Sequence, residues 1–221
     1  MTGANNRLMR DPAVGPATRT ARIPCPALYF VRHGQSTWNL ERRVQGQQDE
    51  PELTELGRQQ AAGAAARLVG AARIALLLSS DLTRAVQTAE IIGEALRLTP
   101  VVTPLLREQS LGSLEGLTTR QASDRLAGVD LTDPDRRYGG GESRNDVLAR
   151  VRHLLADPRL AEGAGVALVS HGDTIRIAVA DLLGEDPLAS SWRPIDNGSV
   201  TVIRATRSAT DSALRSACRG A

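Results

Sequence analysis

The chain contains no lysine: all 27 of its basic residues are arginine. Any cationic contact to a phosphate must therefore use a planar guanidinium, which donates two parallel hydrogen bonds, and not an ammonium point charge. Aromatic residues make up only 2% of the 221, so the core has to be built from Leu, Val, Ile and Ala. A net charge of +2 is too small to imply a nucleic-acid partner. The two cysteines, Cys25 and Cys218, stand near opposite ends in no metal or redox spacing and read as incidental thiols of a cytoplasmic protein. No apolar stretch approaches the roughly 18 residues of a membrane span. The first residues carry arginines but no apolar central segment of a secretory signal. With three histidines, no cysteine pair and no His-x-x-x-His, there is no metal signature. No Gly-x-Gly-x-x-Gly follows an apolar run, so dinucleotide binding has no support.

What is present is an alternation of short apolar runs and helical patterns. Residues 28–31, 74–78, 101–102, 166–169 and 199–203 read as strands. Thr54 reads as the cap of an alanine-rich helix to about residue 68. Asp81 is expected to open a helix to about residue 96, and residues 117–126 a shorter one. Ser143 is expected to cap a helix with Val147, Leu148, Val151, Leu154 and Leu155 on one face. Residues 174–183 form a last helix that ends at Gly184. The loop over residues 34–51 has room for one helical turn. Strands alternating with helices predict an α/β layered fold with a mostly parallel sheet. Residues 1–26 are expected to be a disordered leader, 27–205 the single domain, and 206–221 a flexible tail.

Two of the three histidines directly follow strand-like runs, in Arg32-His33-Gly34 and Ser170-His171-Gly172. In an open sheet the carboxyl ends of parallel strands form the ligand crevice. Two imidazoles there, one beside an arginine, suit attack on an anionic phosphoryl group. Arg32 can bind two phosphate oxygens, and Gly34 is expected to let a ligand approach the backbone. Arg84 falls in the first turn of the helix after residues 74–78, at the same edge and at a helix N-terminus that favours an anion. A carboxyl buried near the crevice can hold a proton and give it to a leaving alkoxide. Glu108, Glu115 and Asp173 all compete for that role, and Asp173 also reads as a helix cap. His153 falls on the polar side of its helix. Residues 139–143 lack the Lys-Ser/Thr ending of a P-loop and read as a turn into a capped helix.

Four blocks carry a family resemblance. They are Val31-Arg32-His33-Gly34-Gln35-Ser36-Thr37-Trp38-Asn39, then residues 79–89 around Arg84, then Leu106-Arg107-Glu108 with Gly112 and Glu115-Gly116. The last is Gly140-Gly141-Glu142-Ser143 leading to Ser170-His171-Gly172. In this order they resemble the histidine phosphatase superfamily, also called phosphoglycerate mutase-like, over residues 28–204. The resemblance implies a three-layer α/β/α sandwich with a phosphate pocket at the strand ends. It implies His33 as nucleophile through a phosphohistidine, and Arg32, Arg84 and His171 as phosphoryl ligands. Asn39 matches a position that assists phosphate binding, and Glu108 matches the usual proton donor. One branch instead uses an aspartate directly after the second histidine; here Gly172 stands there. The stretch Gln109-Ser110-Leu111-Gly112-Ser113-Leu114 resembles the small phosphatases more than the mutases, which carry a Tyr-Gly-Gly-Leu-rich stretch. The expected activity is hydrolysis of a small phosphomonoester such as a sugar phosphate or phosphoglycerate-like acid. A primed mutase or a non-catalytic phospholigand-binding protein is the alternative. No cofactor, metal, nucleic acid or membrane is expected, and a homodimer is compatible with the chain. If Arg120, Arg125, Arg136 and Arg137 face the pocket, the substrate carries further negative charge.

Overall fold

A computed structural model gives the fold and describes residues 18–21, 23–71, 73–188 and 194–206. The strands are β1 Thr18–Ala21, β2 Ala27–Arg32, β3 Ile74–Ser80, β4 Val101–Thr103, β5 Gly165–Ser170 and β6 Val200–Ala205. The α-helices are α1 Thr37–Leu40, α2 Glu55–Val69, α3 Thr83–Leu96, α4 Thr119–Arg125, α5 Arg144–Leu155 and α6 Gly172–Leu182. The strands form one sheet in the order β1-β6-β2-β5-β3-β4. β2, β5, β3 and β4 run parallel; β6 is antiparallel to β2, and β1 is parallel to β6. The fold is α/β with a mostly parallel sheet, as the alternation predicts.

Strand periodicity builds three layers. On β2, Leu28 and Phe30 pack into one core with Val147, Val151 and Leu154 of α5 and Ile175 of α6. Tyr29 and Val31 pack into the other, with Ala64, Ala65 and Leu68 of α2 and Ala85, Ala89 and Ile92 of α3. β5 is buried at all six positions, as a central parallel strand covered on both faces must be. Gly57 of α2 meets the loop after β2 backbone to backbone, and a Cβ on it would fall 2.0 Å from the carbonyl oxygen of Gln35.

Three expectations change. Residues 18–21 lie within the supposed leader but form β1, and Ala21 and Cys25 are buried. Thr-Arg-Thr-Ala has no apolar run, and its backbone pairs in parallel with β6. Residues 1–17 and 207–221 lie outside the described residues. Asp81 does not cap α3: the cap position is Leu82, with no side-chain cap bond, and Asp81 instead forks onto Arg107 at 2.7 and 2.8 Å. The cap position of α6 is His171, not Asp173. Thr54 and Ser143 do cap their helices, Ser143 in a reciprocal box with Asp146. Among the described residues no helix is long and apolar enough to cross a membrane.

Candidate active site

The parallel strands bring their carboxyl ends to one edge. β2 and β5 pair with Arg32 opposite Ser170, so the next residue on each strand is a histidine and the two must meet. The rings of His33 and His171 lie 5.0 Å apart between centroids, tilted by 56°. His33 is pinned on both sides: its N–H donates to Ser170 O at 3.0 Å, and its carbonyl accepts from Asn197 Nδ2 at 3.0 Å. Its ring Nδ1 lies 2.7 Å from Gly34 O. A carbonyl only accepts, so Nδ1 carries the proton and Nε2 holds the free lone pair. Both ring nitrogens of His171 are buried without a partner.

Two guanidiniums flank the rings. Arg84 is 1% exposed, and its terminal nitrogens donate to Gln48 O and Gly46 O at 2.7 and 2.8 Å. Arg32 Nη1 donates to Ile195 O at 2.5 Å. The Nε of each arginine is buried with no partner. Buried polar groups are normally satisfied, and the unpartnered nitrogens of His171, Arg32 and Arg84 beside His33 suit an anion with several oxygens. Electrostatics agree. Burial lowers the Arg84 pKa to about 10, still cationic at neutral pH. Burial, then the adjacent Arg84 and other nearby positive groups, hold both imidazoles well below their ordinary range, hence neutral.

Of the three competing carboxyls, Glu108 reaches this point. A Cβ on Gly172 would lie 3.6 Å from Arg32 Cζ and 3.8 Å from Glu108 Oε2. Glu108 accepts from Thr174 N and Gln109 N at 3.1 Å and from Asp173 N at 3.3 Å. The free N–H groups of α6 favour the carboxylate, yet burial and the Asp173 carboxylate outweigh them and push the Glu108 pKa up. Glu115 braces a loop instead, accepting from Leu111 N at 2.8 Å and Gln48 Nε2 at 2.8 Å. Asp173 pairs with Arg176. Asn39 spends Oδ1 on the start of α1, accepting from Ser36 N at 3.0 Å, and also accepts from Asn197 Nδ2 at 3.2 Å. His153 is exposed on α5.

Gly34 is a correction. A Cβ there would sit 2.1 Å from Gly57 O, so the missing side chain admits α2 and not a ligand. Arg120, Arg125, Arg136 and Arg137 are all exposed. Arg125 bonds Ser113 O, and Arg136 and Arg137 pair with Asp133 and Asp146.

The supporting residues were not visible in the sequence pattern. Arg150 donates to Glu108 O at 3.0 Å and to Leu105 O at 2.9 Å, fixing the loop that carries the carboxyl. Thr88 accepts from Gly34 N at 3.1 Å. These contacts span 42 to 54 residues, and no local signal marks them.

The family model of the histidine phosphatase superfamily (branch 1) matches residues 28–215. The chain belongs to this superfamily. Every residue gathered at the strand ends lies inside the matched span. The probable phosphoglycerate mutase GpmB of Enterobacter sp. (strain 638) is 40% identical over 184 residues, 80% of this chain and 83% of that protein. Among solved structures, a mycobacterial glucosyl-3-phosphoglycerate phosphatase complexed with VO3 is 37% identical. It covers 80% of this chain and 92% of its own, with a TM-score of 0.71. A structure titled mycobacterial hydrolase 1 is 38% identical, covering 80% and 90%, with a TM-score of 0.72. The histidine phosphatase fold thus supplies the sheet edge, and the mutase or phosphatase names belong to those relatives.

Proposed function

We propose that the chain is a phosphomonoesterase that works through a phosphohistidine on His33. The observation that carries this reading is the 2.7 Å contact from His33 Nδ1 to Gly34 O. It leaves Nε2 unprotonated and without a hydrogen-bond partner, beside the orphaned nitrogens of His171, Arg32 and Arg84. The low imidazole pKa keeps that lone pair available at neutral pH.

Nε2 attacks phosphorus as the bond to the ester oxygen breaks. Arg32, Arg84 and His171 donate to the three non-bridging oxygens and stabilise the charge that develops there. Asn39 is assigned a supporting phosphate contact through its amide. Glu108, whose pKa burial and the Asp173 carboxylate raise, gives its proton to the departing alkoxide, which leaves as the alcohol. Water then attacks the phosphohistidine and gives its proton to the Glu108 carboxylate. The P–N bond breaks, and inorganic phosphate and neutral His33 are restored. No step uses a metal or cofactor. A cytoplasmic setting stays part of this reading.

Phosphate release from p-nitrophenyl phosphate tests the proposal, and His33→Ala should abolish it. Retention of most activity in that variant would overturn the assignment. The name of the Enterobacter relative favours a second reading, a phosphoglycerate mutase. It requires isomerisation of 3-phosphoglycerate that depends on a bisphosphate primer. Primer-dependent isomerisation exceeding phosphate release would establish it over hydrolysis.

A further inference from the structure

Arg84 donates its terminal nitrogens to the carbonyls of Gln48 and Gly46, at 2.7 and 2.8 Å, and its Nε is left without a partner. Two fixed acceptors set the plane of a guanidinium. The aim of that Nε is therefore decided by the backbone of residues 46–48. This backbone belongs to no helix or strand, so side chains from elsewhere must hold it.

The Glu115 carboxylate meets all three residues. Its Oε1 accepts from Gln47 N at 3.1 Å, and its Oε2 accepts from Gln48 Nε2 at 2.8 Å. Gly46 lies against the same group: its φ is +48°, and a Cβ there would fall 2.1 Å from Glu115 Oε1. Oε1 also accepts from Leu111 N at 2.8 Å and from Ser110 Oγ at 3.3 Å, in the loop that follows Glu108. One carboxylate thus joins the segment that aims Arg84 to the segment that carries the proton donor. Gln47 adds a second tie, its Nε2 donating to Glu108 O and Glu142 Oε2 at 3.0 Å each. The far end of the segment is pinned by Asp49, whose Oδ1 accepts from Thr83 N at 2.7 Å at the start of α3, the helix that bears Arg84. Burial lowers the Arg84 pKa, and the charge of Glu115 is among those that oppose the shift.

We infer that Glu115 is a positioning residue of the anion site: by tying residues 46–48 to the loop after Glu108, it fixes the two carbonyls that aim Arg84. The inference rests on the phosphomonoesterase reading for the reaction that Arg84 serves.

The test measures kcat/KM on p-nitrophenyl phosphate and, by calorimetry, the affinity for orthovanadate. Glu115→Ala should lower kcat/KM by about 10- to 100-fold, the scale of a misplaced catalytic group, and weaken vanadate binding in parallel. Nitrophenolate leaves without a proton, so a disturbed Glu108 would not produce this loss. Glu115→Gln should recover most of it. The amide oxygen keeps the acceptor for Gln47 N and Leu111 N, and the Gln48 amide can turn to accept from the new N–H. In an Arg84→Lys background, Glu115→Ala should change either quantity by less than about twofold, because the group it aims is already gone. If Glu115→Ala does not fold, Gln48→Ala removes one tie and leaves the carbonyl; it should weaken vanadate binding severalfold.

Losses that multiply in the double variant, Glu115→Gln as impaired as Glu115→Ala, or vanadate affinity unchanged in a folded Glu115→Ala or Gln48→Ala protein would each overturn the inference. Calorimetry needs no turnover, so the two claims separate. A wild type that binds vanadate but hydrolyses no ester removes the phosphomonoesterase reading, and the positioning role stands if Glu115→Ala weakens that binding. Hydrolysis with vanadate affinity untouched by Glu115→Ala does the reverse.

Discussion

Gly34 and Gly57 are in backbone contact, and a methyl group on Gly34 would stand 2.1 Å from the Gly57 carbonyl oxygen. The residue after the candidate nucleophile is thus a packing residue for α2. Gly34→Ala must push α2 away from the sheet edge or twist the His33 backbone. It should cost about 1–3 kcal/mol, the usual range for overpacking, read as a lower midpoint of denaturant unfolding. A Gly34→Ala protein of wild-type stability with weakened phosphate affinity would instead make this glycine a ligand contact.

Arg84 should not tolerate lysine. Its guanidinium holds Gln48 O and Gly46 O and still presents Nε to the crevice. An ammonium cannot span both carbonyls and the anion in that fixed geometry. Arg84→Lys should lower kcat/KM on p-nitrophenyl phosphate by about 100-fold or more, comparable to loss of one charge-stabilising donor. It should also weaken inhibition by vanadate in parallel. Loss of activity with unchanged vanadate affinity would place Arg84 outside the anion site.

Glu108→Gln separates leaving groups. An alkoxide needs a proton and nitrophenolate does not. The variant should therefore lose about 10²- to 10⁴-fold on an alkyl phosphate and far less on p-nitrophenyl phosphate. Burial and Asp173 raise the Glu108 pKa, so the wild-type kcat on the alkyl ester should decline as pH rises through that value. The alkaline decline should vanish in Glu108→Gln. Equal losses on both substrates, or a decline that persists in the variant, would remove the acid role.

Stability should depend on pH through the same histidines. Both have folded pKa values below the unfolded value of about 6.5. Below that pH the unfolded chain takes up protons that the folded chain refuses. Their contribution is complete above about 6.5 and is lost as pH falls toward the folded values. In His171→Asn this slope should be shallower, because one such group is gone. An unfolding free energy that rises on acidification between pH 6.5 and 5 would contradict the burial of neutral imidazoles.

The sheet was legible because its central strands are short apolar runs, and the site because His33 and His171 each end one. Parallel pairing then places them side by side without further information. β1 was missed because Thr-Arg-Thr-Ala has no hydrophobic periodicity. Asp81 looked like a cap because its spacing suits one, but Arg107, distant in sequence, outcompetes the helix for its carboxylate. The choice of Glu108 over Glu115 and Asp173 rests on which carboxyl the loop after β4 turns toward Gly172. Arg150 and Ser170, which bond Glu108 O and Leu106 O, fix that turn through contacts that local sequence does not encode. The exposure of Arg120, Arg125, Arg136 and Arg137 was equally hidden, because only the fold shows it.

The most direct measurement is to trap the intermediate. A wild-type reaction with p-nitrophenyl phosphate is quenched in alkali within one turnover, digested and mapped by mass spectrometry. The phosphoryl group should be found on the peptide containing His33, bonded to Nε2, and should be missing from the Glu108→Gln protein only if attack itself is blocked. A phosphoryl group on His171, or turnover with no phosphorylated peptide at any quench time, would contradict the account.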